Sequence, residues 1–489
     1  MRFFKYFLLI IIVLVFLVAP WQFSRAGVLD FFYKTRDILS VAGNKLLYND
    51  ESIILRGVAV GNPYSRDYVY NRDSNDYKII RDEWSSNVVR LSVHPGLYKR
   101  YERFMKSSLE DEIEAARKQN MFVIVDWHVI GEPNGWEKKM HWGGSDTLYY
   151  DSDLSIAEEF WKYMAVKYRS DRGVMFEIWN EPQNKNRDLS WNDIRDYMQR
   201  LHDIIRSQGA DNVIIAPGVY WSYDLRNIRN NPLQGENVAY AWHNYPENSS
   251  LTDWESAVDG IYNQYPLLVT EWGFGSDPDN WHYAKPEDFG EKMKNFIIDK
   301  ELHFTAWCWH GQWHPAMLRK NWHDLTVFGE FTKNFLDDFD EIGGVMEKIN
   351  DFIESGVDYN TLSLGKGERL AVIFSFKEAF GRSPQDQRDY DDIIKIARGH
   401  WPSQRSLSAE EEAKKHFQEI YLRWPDMNNQ NDNAAVMVMA YGLRQKAVNR
   451  SLDSEAQALG FFKSIYGRLP SFTNDWNILQ AITYSGATR

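Results

Sequence analysis

Val174-Met175-Phe176-Glu177-Ile178-Trp179 is a short, almost continuously apolar run, and the polar pair Asn180-Glu181 follows it at once. A run of this length and composition is typical of a strand buried on both faces of a parallel sheet. Seven similar runs recur along the first two thirds of the chain. The eight predicted strands cover residues 53–60, 87–93, 122–128, 174–179, 213–216, 238–242, 267–272 and 304–309.

Helix-like patterns separate these runs, for example at residues 107–119, 154–168 and 191–208. Strands that alternate with helices over this length indicate an α/β chain with a (β/α)8 TIM barrel, which we place at residues 28–343. A doubly wound open sheet is the alternative topology. It is disfavoured because no glycine-rich phosphate-binding loop follows the first predicted strand.

Polar side chains close nearly every predicted strand, and active sites of such barrels lie at the carboxyl ends of the strands. Two carboxylic acids ringed by Arg, His, Tyr and Trp suit glycosidic bond cleavage, in which one carboxyl group protonates the leaving oxygen. Their spacing resembles no metal-ligand motif, so we expect neither a metal nor a cofactor. The candidate site residues are Arg90, His128, Asn180, Glu181, His243, Tyr245, Glu271, Trp307 and Trp309.

Each candidate also has an ordinary structural interpretation. His128 and His243 taken singly are more often satisfied core histidines, and Arg90 could simply pair with an acid inside the barrel. The functional interpretation gains from the joint pattern, because a carboxylate in a barrel mouth is costly unless it is paired. Two of them, Glu181 and Glu271, fall at the ends of two predicted strands.

The whole-chain composition limits the remaining functions. The 489 residues carry 56 basic and 69 acidic side chains, and the net charge of −13 argues against a nucleic-acid partner. The single cysteine, Cys308, excludes an intrachain disulfide and a thiolate zinc cluster.

The segment Phe176-Glu177-Ile178-Trp179-Asn180-Glu181-Pro182 resembles the Asn-Glu-Pro signature of glycoside hydrolase family 5, which includes many cellulases. Four further segments occur in the family's order: Leu55-Arg56-Gly57-Val58, Val89-Arg90-Leu91, Val125-Asp126-Trp127-His128 and Thr270-Glu271-Trp272-Gly273. Together they span roughly residues 40 to 330.

The resemblance implies a role for each candidate. Glu181 would be the acid/base, Glu271 the nucleophile, and Asn180 the residue that binds the sugar 2-hydroxyl. Arg90 would keep the nucleophile ionised, and Tyr245 would orient it. His128, His243 and Tyr245 would line the cleaved subsite.

Aromatic residues near the strand ends bear on the substrate. Trp307 and Trp309 share one pleat parity, so either could be the sugar platform. Further aromatic residues at 127–142 and 311–315 predict a long cleft, which favours a polymer over a small glycoside. The catalytic set does not distinguish β-1,4-glucan from mannan or β-1,3-glucan.

The first 27 residues have the order of an export signal. Arg2 and Lys5 precede an apolar run at residues 7–19, and the polar stretch after it ends in Ser24-Arg25-Ala26. A cleaved signal peptide and an uncleaved N-terminal membrane anchor are equally compatible with this pattern. Either implies an extracellular or cell-surface location.

Residues 344–489 have fewer aromatic residues and repeat three times. The segments Phe376 to Pro384, Phe417 to Pro425 and Phe462 to Pro470 align, and an acid follows each of them: Asp389, Asp432 and Asp475. Each unit predicts a helix, a proline-containing loop and a second helix, which makes a small all-α repeat domain. The units loosely resemble repeats of bacterial surface proteins. Core packing is the ordinary interpretation of their aromatic residues, and polysaccharide or cell-surface attachment is the functional one.

We therefore expect an exported retaining endo-β-glycanase that acts on β-1,4-glucan, with polysaccharide as its partner. A β-mannanase, or another β-glucanase with the same mechanism, is the alternative within enzymes. A polysaccharide-binding surface protein without catalysis is the alternative of a different class.

Overall fold

The computed structural model describes residues 38–62, 75–135, 150–248, 250–279, 281–442 and 449–489. The predicted signal or anchor at residues 1–27 lies outside them. Within these described ranges, no helix combines the length and the hydropathy needed to cross a membrane.

Eight parallel strands close into a barrel, which confirms the predicted fold class. The strands are β4 (Arg56–Ala59), β5 (Val88–Val93), β6 (Phe122–Trp127), β7 (Val174–Glu177), β8 (Ile214–Ala216), β9 (Val238–Asn244), β10 (Leu267–Trp272) and β11 (His303–Trp307). Neighbours in the chain are neighbours in the barrel, and β11 pairs with β4 to close it.

A small antiparallel sheet that the sequence analysis missed precedes the barrel. Its strands are β1 (Leu39–Ala42), β2 (Lys45–Tyr48) and β3 (Glu51–Ile53). Leu39 and Leu46 from this sheet share one buried cluster with Val88 and Phe122, the first residues of β5 and β6. The sheet therefore covers the amino ends of the strands, which leaves the carboxyl ends for the site.

Helices of the barrel follow the strands in the usual alternation. They are α1 (Asp76–Asp82), α2 (Pro95–Lys118), α3 (Leu154–Tyr168), α4 (Trp191–Ser207) and α5 (Leu251–Val258). Helix α3 has its predicted bounds, and the Asp153 side chain caps it by accepting a hydrogen bond from the Ser155 backbone N–H. Helix α2 begins 12 residues before its predicted start, because the His94 side chain caps its first turn and Pro95 follows at the first helical position.

Contacts between Cα atoms group the chain into two compact units. The barrel unit ends at Phe328, and it omits Lys285–Glu301, which group with Gly329–Arg489 in the second unit. The predicted limit between residues 343 and 344 lies inside one continuous helix, α7 (Val327–Ser355), after α6 (Glu291–Asp299). The domain limits at 28–343 and 344–489 stay a prediction.

The C-terminal part of the second unit is helical, as predicted. After α7 come α8 (Tyr359–Leu362), α9 (Lys366–Phe380), α10 (Gln387–Ala397), α11 (Leu407–Tyr421), α12 (Gln430–Tyr441), α13 (Leu452–Tyr466) and α14 (Thr473–Tyr484). The pairs α9–α10, α11–α12 and α13–α14 correspond to the three repeats. The aligned residues Phe376, Phe417 and Phe462 are all fully buried, so they are core residues.

The three sequence repeats do not stack as a simple row in which each repeat contacts only the next one. Helix α9 of the first unit contacts α12 of the second and α14 of the third. The Ser375 hydroxyl on α9 donates a hydrogen bond of 3.0 Å to the Asn477 amide oxygen on α14. The first and third units are thus in direct contact.

Each of the three aligned segments also contains an arginine, Arg382, Arg423 or Arg468, which pairs with the aspartate of its own repeat. Arg382 binds Asp389 through two nitrogens, at 2.5 and 3.0 Å, and Arg423–Asp432 and Arg468–Asp475 repeat this geometry. In each unit the same aspartate also accepts a backbone N–H from the proline loop. The arginines therefore anchor the loops to the second helices, a pairing that the alignment alone did not predict.

Candidate active site

The Arg90 side chain is fully buried inside the barrel, where it contacts three acids. It is in the middle of β5 and not at the end, where the sequence analysis placed it. Its nitrogens contact Glu177 at 2.5 Å, Glu271 at 2.7 Å and Asp126 at 3.0 Å. One guanidinium thus neutralises part of a buried cluster of three carboxylates.

Asp126 and Glu177 are members of this cluster that the sequence analysis did not select, although both lie inside quoted motifs. They face each other across the register of β6 and β7. Burial opposes ionisation of Glu177, but Arg90 and His243 together prevail and lower the pKa of its carboxyl group to about 2. An acid inside an otherwise apolar strand was the signal that could have identified both.

Glu271 lies on β10 and is almost fully buried. Its Oε1 accepts a hydrogen bond from Arg90, and its Oε2 accepts one of 2.8 Å from the Tyr245 hydroxyl. Burial opposes ionisation, but the charges of His243 and Arg90 prevail and lower the pKa of Glu271. Glu271 is therefore held as a carboxylate at neutral pH.

Glu181 follows β7 and lies beside His243 of β9. The His243 Nδ1 is 3.0 Å from Glu181 Oε1, and its Nε2 is 3.0 Å from the Thr270 hydroxyl, which donates to Glu177. Burial favours the neutral ring, but Glu271 and the bonded acids raise the pKa of His243 to about 10. An imidazolium thus lies between the cluster and Glu181.

The two candidate catalytic acids are close together. One oxygen of Glu181, one oxygen of Glu271 and a nitrogen of His243 all lie within 4.8 Å of one another. Such a trio has the spacing to hold a metal ion, and His243 would have to give up a proton to act as a ligand there. One oxygen of each acid can therefore contact the same bound group.

Tyr245 is held by a second ring as well as by its hydrogen bond. The His282 imidazole stacks on it at 4.2 Å between ring centroids, and the exposed Trp281 stacks on His282 at 5.4 Å. The Glu247 carboxylate fixes His282 through its backbone N–H at 2.9 Å and its Nδ1 at 2.8 Å. A stack of three rings therefore leads from Glu271 to the surface.

His128 and Trp307 form a second pair of stacked rings beside the carboxylates, which we call the tryptophan wall. Their rings are nearly parallel and 5.2 Å apart, and His128 Nδ1 binds Asp126 at 2.7 Å. Tyr150 was not among the predicted site residues, and the centroid of its ring lies 6.1 Å from that of the His128 ring. Burial, with the charges of Glu181 and Glu271, raises the pKa of Tyr150.

Trp309, the other predicted platform, has different neighbours. Its Nε1 donates to Asp76 at 3.3 Å, and its ring packs edge-on against Trp84. Strand β11 ends at Trp307, so the shared pleat parity of the two tryptophans does not continue beyond it. Trp307 therefore joins the carboxylate cluster through His128, whereas Trp309 packs against Trp84.

The expected aromatic cleft surface needs a correction at Trp127. That ring is fully buried and packs against Phe160 and Tyr98 in the shell of the barrel. Residues 136–149 of the same loop lie outside the described residues. Trp313 does extend the wall, since its ring stacks 6.1 Å from Trp307.

Asn180 completes the set. Its Oδ1 accepts a hydrogen bond of 2.8 Å from Arg90, and its buried Nδ2 has no hydrogen-bond partner among the described residues. An unpaired buried donor is costly unless something binds it. Eight of the nine predicted site residues thus lie in one cluster, and Trp309 does not.

Comparison with known proteins agrees with this geometry. Residues 48–312 match the sequence model described as Cellulase (glycosyl hydrolase family 5). Endoglucanase A of Butyrivibrio fibrisolvens is 27% identical over 341 residues, which cover 66% of this chain and 72% of the relative. Endoglucanase N of Pectobacterium atrosepticum is 31% identical over 282 residues, which cover 56% and 57%.

Solved structures show the same fold. A beta-glucanase from Saccharophagus degradans, solved with cellotetraose, superimposes with a TM-score of 0.56 at 21% identity, over 66% of this chain and 97% of that one. Because the family match covers more than half of the chain, the resemblance noted from its motifs is confirmed. The chain belongs to glycosyl hydrolase family 5, the cellulase family, and is a glycoside hydrolase.

Proposed function

We propose that this glycoside hydrolase is an endo-β-1,4-glucanase that cleaves its substrate with retention of anomeric configuration. The single observation that carries the retaining mechanism is that one oxygen of Glu181 and one oxygen of Glu271 lie within 4.8 Å of each other, which favours the shorter of the two carboxyl separations found in glycosidases. Retaining glycosidases place their carboxyl groups about 5–5.5 Å apart, whereas inverting enzymes need about 6.5–9.5 Å to admit a water.

In the first step, Glu271 attacks the anomeric carbon while Glu181 gives a proton to the leaving oxygen. The carbon–oxygen bond to the leaving sugar breaks, and a glycosyl ester forms on Glu271. In the second step, Glu181 takes a proton from water, the water oxygen attacks the same carbon, and Glu271 leaves as a carboxylate. Glu181 is then protonated again and ready for the next cycle.

The electrostatics of the two acids support this division of roles. Glu271 receives hydrogen bonds from Arg90 and Tyr245, which favour the charged form that a nucleophile needs. Glu181 has a different environment, with 12% of its side chain exposed and His243 as its neighbour. A group that exchanges protons with a leaving group and with water needs this access.

Binding groups on both sides of the acids support a glycan chain as substrate. The half-buried Trp313, stacked beside the 7%-exposed Trp307, offers a flat apolar ring on which a sugar ring can stack. Next to Glu181, the backbone N–H of the half-buried Trp221 donates to the Pro182 carbonyl, so the backbone of a further tryptophan lies beside the proposed acid/base. The names of the relatives, endoglucanases and a beta-glucanase, favour glucan over mannan.

The test is product analysis on carboxymethylcellulose, barley β-glucan, laminarin, mannan and xyloglucan. We expect oligosaccharides of mixed length from the first two and little from mannan, with Glu181→Gln inactive on all. Faster release from mannan would establish the alternative β-mannanase. Wild-type protein that binds these glycans without cleaving any of them would establish the non-catalytic alternative.

We also propose that the enzyme is exported, which rests on the charge and hydropathy of residues 1–27 alone. Fractionation of the producing cells tests this. Enzyme in the medium indicates a cleaved signal, and enzyme in the membrane fraction indicates an anchor. Enzyme confined to the cytoplasm contradicts export.

A further inference from the structure

We infer that the second compact unit carries a saccharide-binding groove of its own, separate from the carboxylate cluster of the barrel. The groove lies between helices α9, α13 and α14 and has a volume of about 600 Å³. That volume is in the usual range of small-molecule sites. The inference rests on the proposed function only for the identity of the ligand, a β-glucan chain.

Three aromatic rings line this groove and are open to solvent. Phe374 on α9, Phe472 before α14 and Trp476 on α14 are exposed by 48%, 67% and 47%. Large apolar side chains gathered on one exposed surface indicate an interaction site. Exposed flat rings offer stacking surfaces for the apolar faces of sugars, and the same chain carries a glycoside hydrolase barrel, which favours a glycan chain as the occupant.

Polar groups accompany the rings. Arg450 binds Glu455 through two nitrogens, at 2.8 and 2.7 Å, and lies 3.5 Å from Glu368. These charges largely satisfy one another, so the groove does not call for a ligand of one strong charge. Neutral hydroxyl groups, which both donate and accept, can bind to either partner.

One buried acceptor at the groove has no partner. Gln480 lines it with only 8% of its surface exposed, and its Oε1 has no hydrogen bond among the described residues. A buried polar atom without a partner is costly. This oxygen has no accessible surface of its own, so a ligand hydroxyl can satisfy it only when the Gln480 amide turns toward the groove.

The repeats themselves provide an internal comparison. Trp476 directly follows Asp475, the acid of the third sequence repeat. The corresponding residues of the first and second repeats are Tyr390 and Asn433. Asn433 accepts a hydrogen bond of 3.0 Å from Trp401, so that position is used inside the unit. A large exposed ring at this position occurs in the third unit, where the groove is.

The test uses the full chain, made inactive in the barrel by Glu271→Ala so that it does not consume the probe. Affinity electrophoresis in gels containing barley β-glucan measures the dissociation constant. We expect Trp476→Ala to raise that constant about tenfold, which corresponds to about 1.4 kcal/mol of binding free energy. Phe374→Ala, at an exposed position where truncation spares the core, should weaken binding in the same direction.

Trp424→Ala is the matched control, because Trp424 is 56% exposed in the second unit and does not line the groove. It should leave binding unchanged. With an intact Glu271, Trp476→Ala should also cleave cellotetraose at the wild-type rate. This separates the two proposals, since a protein that cleaves nothing can still show the groove in the gel.

Three results would overturn the inference. The dissociation constants of Trp476→Ala and Phe374→Ala could both equal that of the wild type. Trp424→Ala could weaken binding as much as they do. Light scattering could show a dimer that Trp476→Ala converts to a monomer, in which case a second copy of the chain occupies the groove.

Discussion

Tyr245→Phe isolates one hydrogen bond to the proposed nucleophile. The change removes the donor that lies 2.8 Å from Glu271 Oε2 and keeps the ring that stacks on His282. Arg90 still binds the other oxygen, at 2.7 Å, so the carboxylate stays in place with one donor fewer.

The expected magnitude follows from the charge on Glu271. A hydrogen bond to a charged group contributes about 1.5–3 kcal/mol. At about 1.36 kcal/mol per unit, its loss raises the pKa of Glu271 by about 1–2 units. The acid limb of kcat/KM should move to higher pH by that amount, because the nucleophile must be ionised.

The same bond should affect the two chemical steps unequally. Charge returns to Glu271 when it leaves in the second step, and Tyr245 stabilises that charge. If the whole contribution of about 1.5–3 kcal/mol is lost from the deglycosylation step, kcat should fall about 10- to 150-fold, because about 1.36 kcal/mol of barrier corresponds to a tenfold change in rate. Stopped-flow measurements with a chromogenic cellobioside should then show a burst of leaving group that the wild type lacks.

Tyr240→Phe is the matched control, since Tyr240 lies on β9, the strand that Tyr245 directly follows, and its hydroxyl accepts a bond of 3.0 Å from the Leu233 backbone N–H. It should leave the acid limb and the burst unchanged. An unshifted acid limb without a burst in Tyr245→Phe would refute the reasoning, as would equal effects of the two variants.

Three further outcomes are expected. Glu181→Ala should lower kcat/KM on β-glucan about 10²–10⁴-fold. Azide should restore the turnover of an aryl cellobioside with a good leaving group by this variant. If azide instead rescued Glu271→Ala and gave a product of retained configuration, the roles assigned to Glu181 and Glu271 would be reversed. Because the pKa of His243 is raised from 6.5 to about 10, its charged form stabilises the fold below pH 6.5 and this contribution is lost as pH rises through 10. Urea unfolding of wild type and His243→Gln across this range should show their difference shrinking, and a constant difference would contradict the assignment. Arg382→Met should lower the free energy of unfolding by about 2 kcal/mol, less than the loss of a fully buried pair, because Arg382 is 28% exposed. Its control, Arg388→Met, removes an exposed ion pair and should change that free energy by no more than about 0.5 kcal/mol. Equal losses in the two variants would show that the repeated pair is not an anchor.

The barrel was predictable because its strands are buried on both faces and therefore apolar throughout. Each polar residue at a strand end then stood out, which is how Glu181, His243 and Glu271 were found. The first predicted strand is wrong in one respect. Residues 53–60 contain the end of β3 and all of β4, and no change of pattern marks the break after Ile53.

Asp126 and Glu177 were not predicted because their role depends on Arg90, which comes from another strand. Arg90, Asp126 and Glu177 are far apart in the sequence. The barrel brings the two carboxylates, of Asp126 and Glu177, within 3.0 Å of the Arg90 guanidinium. The choice between Trp307 and Trp309 likewise depends on where β11 ends, which pleat parity does not determine.

The repeats show the same limit. Their helices, loops and buried phenylalanines followed from the alignment of Phe376, Phe417 and Phe462. The contact between α9 and α14 did not, because it joins residues about 100 positions apart, such as Ser375 and Asn477. Alignment identifies equivalent residues but not which units touch.

The central claim is that Glu271 forms a covalent bond to the sugar, and one measurement tests it directly. Wild-type enzyme is incubated with an activated 2-deoxy-2-fluoro-β-cellobioside, digested with pepsin, and analysed by mass spectrometry. We predict one fluorocellobiosyl adduct, on the peptide that contains Glu271, with Glu181 unmodified. An adduct on Glu181, or turnover of β-glucan to products of inverted configuration without any adduct, would contradict the account.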